Sequence, residues 1–200
     1  MTDQARNSPP VEVGSSQKLL FELQVEQHHH DEAYHREIAR LSLHHRLNHM
    51  ALHFAKYVGK VAQKNRVDET VPVLVDALII GLSSANILNI ELWDHLQDGS
   101  REYPGLLPFG RALALRFADD IRDVSKLTRA LAVPAGLFAA ACEKIDHLEE
   151  ISFRNEARSA IARFSALSLA VLATEGVEPT AAVRERLAGV KRKLKLHGRI

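Results

Sequence analysis

The segment Met50-Ala51-Leu52-His53-Phe54-Ala55-Lys56-Tyr57-Val58-Gly59-Lys60-Val61 returns in altered form as Leu113-Ala114-Leu115-Arg116-Phe117-Ala118-Asp119-Asp120-Ile121-Arg122-Asp123-Val124. Ala51, Leu52, Phe54, Ala55 and Val61 recur at the same places in the second segment, whereas Lys56, Tyr57 and Lys60 become Asp119, Asp120 and Asp123. Residues three and four apart share one face of a helix. A helix that keeps its packing face and reverses the sign of its charged face implies one fold used twice, with a different task in each half.

Working outward, Ile38, Leu41, Leu47, Ala51, Phe54, Val58 and Val61 recur at helical steps in a stretch from Asp31 to Lys64 that has no proline and one glycine, Gly59. This predicts an amphipathic helix with a break near Leu43–His45, because more than about 30 residues is long for a globular helix. Ser16 is expected to cap a helix starting at Gln17. Thr70 is expected to cap the next, with Pro72 in its first turn. That next helix, residues 71–97, is apolar on several faces and is expected to be the central buried one. Further helices are expected over 109–131, 134–150, 154–175 and 180–194. Pro134 and Pro179 would stand in first turns and Gly176 at a C-terminal cap.

No alternating β-branched segment of convincing length occurs, and long Ala-, Leu-, Arg- and Glu-rich stretches separate sparse glycines and prolines. The fold class read from this pattern is all-α, a helical bundle of two repeats, residues 16–103 and 104–200. A leader, residues 1–15, contains Pro9, Pro10, Gly14 and Ser15 and is expected to be disordered. The connector between repeats is expected from Gly99 to Pro108.

The 26 basic and 25 acidic residues nearly cancel, so net charge gives no footprint of specific nucleic-acid or membrane binding. One cysteine, Cys142, excludes an intrachain disulfide and fits a reducing compartment. No apolar run of membrane-spanning length and no apolar leader is read from the sequence, and a cytoplasmic location is the expectation. Motifs for a phosphate loop, a dinucleotide-binding turn, a nucleophile elbow and CxxC are absent from the sequence.

On a continuous helix, Asp119, Asp120 and Asp123 would stand close together, repelling one another unless a cation neutralises them. Hard oxygen ligands suit Mg²⁺ or Mn²⁺, which bind nucleotide phosphates and activate water. Arg116 and Arg122 lie close enough to make the same cluster a screened, solvated face. Glu156, at the start of an apolar helix, is a candidate fourth carboxylate or a first-turn glutamate favoured by the helix dipole. Lys56 and Lys60 are candidates for phosphate contact or for ordinary surface charge. His45, His49 and His53 form one stripe at successive i+4 positions, a spacing that can bind zinc, although partly buried or interface histidines are the favoured reading. His28-His29-His30 and the Glu32–His35 pair add further imidazoles without completing a known metal motif. The end of the chain, with Lys191, Arg192 and Lys193, carries charge that can meet polyanions or fray in solvent.

The order of a carboxylate-faced helix, a loop and an apolar helix running to Ala85-Asn86 resembles the MazG-like all-α NTP pyrophosphohydrolases, with the all-α dUTPases and phosphoribosyl-ATP pyrophosphohydrolases as relatives. Phe54 to Ala62 looks like the family's first motif helix, and Val73 to Leu92 like its second. The resemblance covers residues 45–95 and rests on the apolar frame. The first half has Tyr57 and Lys60 where the family has ExxE, and Val73 and Asp76 where it has ExxD. The second half keeps Asp120 and Asp123 for the first motif and Glu156 for the second, with Ser159 at the last position. The resemblance implies Mg²⁺- or Mn²⁺-dependent release of pyrophosphate from an NTP or dNTP. In that reading Asp120, Asp123 and Glu156 hold the metal, and Asp119 orients water. Lys56, Lys60, Lys191, Arg192 and Lys193 would hold phosphates, and the units would pair as homo-oligomers. The alternative is a catalytically inactive relative that binds a nucleotide, another phosphorylated small molecule or a protein partner in the same cleft.

Overall fold

The computed structural model describes residues 15–96, 103–147 and 152–193. Among these the secondary structure is helical throughout, with no strand. The order is α1 (Ser16–Tyr34), α2 (Arg36–Ala39), α3 (Leu43–Ala62), a 3₁₀ turn (Asp68–Thr70), α4 (Val71–Ile87), α5 (Trp93–Leu96), α6 (Leu106–Arg116), α7 (Val124–Asp146), α8 (Phe153–Thr174) and α9 (Pro179–Lys193). The all-α bundle expected from the sequence is present. The leader falls almost wholly outside the described residues, as do most of the connector's first half and the end of the basic tail, residues 194–200.

The centre is α8 rather than α4. Every residue from Phe164 to Ala173 is buried, and α4, α6 and α7 pack around it. α4 is also deeply buried, but it ends at Ile87, well short of 97. Gly110 lets α6 press onto α8: a Cβ there would stand 2.6 Å from Ala173 Cβ and 2.7 Å from the Leu169 carbonyl oxygen. Phe54 of α3 stacks on Phe164 of α8 at 4.1 Å and tilts against Phe138 of α7 at 5.1 Å, so both halves of the chain share one apolar core.

Several boundaries differ from expectation, each for a local reason. Ser15, not Ser16, caps α1; Ser16 is buried and bonds to the Tyr103 backbone through both its N–H and its hydroxyl. Thr70 makes no cap, since its hydroxyl turns back to the Val67 carbonyl. The long first helix breaks at His35 and again at Arg40–Ser42, where Ser42 caps α3. Pro134 lies inside α7 and does not start a helix. Leu127, Ala130 and Leu131 before it, and Ala135, Phe138 and Ala141 after it, are all buried, so packing on both sides holds one continuous helix despite the lost N–H.

The second copy of the opening motif is not a helix. α6 stops at Arg116, residues 117–121 turn, and Phe117 is only half buried, with the Arg116 and Arg163 guanidiniums over its ring. Phe54 and Phe117 therefore occupy different environments. At the C-terminal end, expectation and structure agree. Gly176 takes φ +73° after α8, its N–H and that of Val177 bond to the Ala173 and Leu172 carbonyls, and Pro179 opens α9.

Two helices, Asp68–Ile87 and Phe153–Thr174, reach the length and apolarity of a membrane span, contrary to the sequence reading. Most of each is buried inside the bundle, as core helices are.

Candidate functional site

The acidic residues singled out in the sequence do not share a helix face. Asp119 is exposed and paired with Lys126, which holds its carboxyl below the usual range, with Arg122 adding to the effect. Asp120 lies 3.6 Å from Arg163 of α8. Asp123 adopts extended backbone and caps α7, its Oδ1 accepting from the Lys126 N–H at 2.8 Å. This is the ordinary use of an aspartate at a helix start. Glu156 pairs with Lys144 at 3.6 Å, in the last turn of α7. α7 has 23 residues and so runs about 35 Å from its Asp123 cap to that end. The structure thus keeps Glu156 far from Asp123, and each carboxylate of the set has a basic or backbone partner.

The first-half positions converge instead. A cavity of about 270 Å³ opens between the end of α1, α2, α3, α4 and α9. Tyr57 and Asp76, which stand at motif positions in the resemblance, both line it. Arg186 of α9 also lines it and forks onto Asp76, donating from Nη2 to Oδ2 at 3.2 Å. Lys56 and Lys60 do not line it; both are exposed, with their ammonium groups 4.6 and 5.7 Å from the centre of the Tyr57 ring. Burial, and then the charge of Lys60, pull Lys56 below its usual pKa. Burial, aided by Asp76, pushes the Tyr57 phenol up to about 12. Lys191 and Arg192 are exposed at the end of α9, just beyond Val190, which lines the cavity. The side chain of Lys193 lies outside the described residues.

The inner wall carries His30, Asp31, His35, His49 and His53. Of the histidine stripe, only two members meet: His49 and His53 approach to 3.1 Å between their Nε2 atoms. His45 turns away and bonds to the Ser42 cap at 2.7 Å. Burial, with help from Lys56 and His49, pushes His53 down to about 4; burial and Lys56 also lower His49. Both rings are therefore neutral at neutral pH. Of the tract at 28–30, His30 faces the cavity, while His28 and His29 are exposed and line a separate open groove with Phe21 and Val25.

Asp31 is held by a polar network between α1 and α4. Its Oδ2 accepts from Gln27 Nε2 at 2.5 Å and from Ser83 Oγ at 2.8 Å. Gln27 Oε1 in turn accepts from Asn86 Nδ2 at 2.8 Å, and Asn86 Oδ1 accepts from Gln24 Nε2 at 3.1 Å. Burial raises the Asp31 carboxyl, but contacts with His30, Ser83 and Gln27 outweigh it and leave the group ionised below its usual range. A partly buried network of this kind restricts the orientation of its members.

Sequence reasoning missed Asp31 and His30 as partners of His35. Positions 30 and 35 do not share a face of an unbroken helix. They meet because α1 ends at Tyr34 and His35 takes φ −131°, ψ 42°. The visible signal is the density of imidazoles around a place where the helix is too long to continue. Comparison with known proteins adds nothing further: no family model, no curated protein and no solved structure matches this chain.

Proposed function

We propose that this protein binds an anionic phosphorylated small molecule, a nucleotide in the first instance, in the cavity between α1, α3, α4 and α9. This is the ligand-binding alternative raised by the resemblance, moved to the first half of the chain. The observation that carries it is the charge beside Tyr57: Lys56 and Lys60 hold their ammonium groups near its ring, and Arg186, paired with Asp76, lines the same cavity. Cations held close together against their own repulsion favour an anion between them. A Mg²⁺-dependent pyrophosphohydrolase built on Asp120, Asp123 and Glu156, with Asp119 orienting water, needs those groups around one ion. The partners of each carboxylate favour the binding reading over that one.

The test is a thermal-shift panel of NTPs, dNTPs and pyrophosphate, run alongside an assay for pyrophosphate release with Mg²⁺. A ligand at about 100 times its dissociation constant stabilises by about 2.7 kcal/mol and raises Tm. Lys56→Glu and Lys60→Glu are expected to reduce that rise, and Asp120→Asn to leave it intact. The reading fails if no panel member shifts Tm, or if both lysine reversals leave the shift unchanged. Pyrophosphate release abolished by Asp120→Asn would restore the hydrolase reading in its place. Sedimentation velocity tests the homo-oligomer that the resemblance implies.

A further inference from the structure

We infer that the inner wall of the cavity is a binding site for one borderline divalent metal ion of the zinc or ferrous class, with His30, Asp31 and His35 as its protein ligands. The ligand atoms of these three residues lie within 4.8 Å of one another. Two donors on one tetrahedral ion, each about 2.1 Å from it, stand about 3.4 Å apart, so small rotations of the rings close the set. His30 Nδ1 and Asp31 Oδ1 are 3.8 Å apart, too long for a hydrogen bond and near the spacing of two donors that share a cation.

His30 brings a largely buried ring to the cluster, with Nδ1 on the Asp31 side. Only 9% of its side-chain surface is exposed, and its Nε2 is buried without a hydrogen-bond partner. Asp31 presents the matching feature. Its Oδ2 is saturated by Gln27 and Ser83, which leaves Oδ1 turned to His30. Donors that saturate one carboxylate oxygen and aim the other are what ligating carboxylates use for support. His35 Nδ1 lies 3.7 Å from Glu37 Oε1, beyond hydrogen-bond distance, so the ring is placed by the backbone at the helix break.

Two imidazoles and one carboxylate suit Zn²⁺, Co²⁺ or Fe²⁺ far better than Mg²⁺, which demands oxygen ligands. Three protein ligands leave coordination positions free on the cavity side, where His49 and His53 stand with a 3.1 Å Nε2 separation. The site does not depend on the phosphorylated-ligand reading, since it needs only its own donors.

The experiment uses the full chain without an affinity tag, stripped with chelator. Zn²⁺ binding is followed by calorimetry and Co²⁺ binding by visible absorption, with no nucleotide present. One equivalent of ion is expected, with Co²⁺ bands from a nitrogen- and oxygen-ligated centre, and Mg²⁺ is expected not to compete. Asp31→Asn and His35→Gln should each weaken Zn²⁺ binding by about 100-fold or more, and Ser83→Ala by about 10-fold through the orientation of Asp31. His35 lies at a helix break and is half exposed, so its variant keeps the test valid if Asp31→Asn fails to fold. His28→Ala with His29→Ala should leave binding unchanged. Zn²⁺ binding that survives Asp31→Asn and His35→Gln but is lost with the His28/His29 pair would overturn the inference, as would no binding tighter than millimolar. Nucleotide shifts that persist without metal binding would remove this site and leave the ligand reading standing.

Discussion

Asp123 caps α7 with its carboxylate oxygen, so the change that isolates this role keeps an acceptor and removes the charge. Asn and Asp cap about equally well, whereas Ala costs about 1 kcal/mol. Asp123→Asn is therefore expected to be nearly neutral in urea unfolding and Asp123→Ala to lose about 1 kcal/mol. A large loss with Asn would return the charge, and with it a cation, to consideration. The sequence displays three aspartates but not which are helical. The cluster follows only if the helix of Leu113 continues. A single helix end at Arg116 turns a shared face into a cap and two surface ion pairs. At His30 and His35 the same uncertainty works in the opposite direction, since a break there brings together rings that a continuous helix would separate.

Among the elements, two glycines make a matched pair. Gly110 faces the Leu169 carbonyl, which cannot yield, so Gly110→Ala is expected to lose about 1–3 kcal/mol despite the better helix propensity of alanine. Gly136, inside α7, has open space where a methyl group would project, with nothing within 4 Å, and Gly136→Ala should gain up to about 1 kcal/mol. Denaturant midpoints of the two variants should move in opposite directions; equal shifts would mean that α6 does not sit on α8 as described. The order of the long helices is largely legible from periodicity, and so is the Gly176–Pro179 punctuation, whereas the short α2 and α5 and the break after Arg116 inside the expected 109–131 helix are not. The place of Pro134 is not, because local propensity favours a start there and only burial on both flanks reveals a continuous α7.

For the whole molecule, the stack of Phe54 on Phe164 joins helices from both halves. Phe54→Ala should cost about 3–5 kcal/mol. Unfolding followed by helical circular dichroism and by Trp93 fluorescence should give coincident transitions, as one core requires. Separate transitions for the two halves would instead support two independent repeats. The charge reversal between related segments is real in the sequence, yet a shared apolar frame does not dictate a shared conformation when the flanking packing differs. One wall of the cavity comes from α9, through Arg186, Leu187 and Val190, while the residues it covers lie on α1 to α4. About 100 residues separate Ile87, the end of α4, from Arg186, and a ribosome takes roughly 5 to 20 s to make them. Throughout that interval the imidazoles on α1 to α3 lack the cover of α9. Their loading is therefore open to cellular metal supply before the last helix arrives to enclose them.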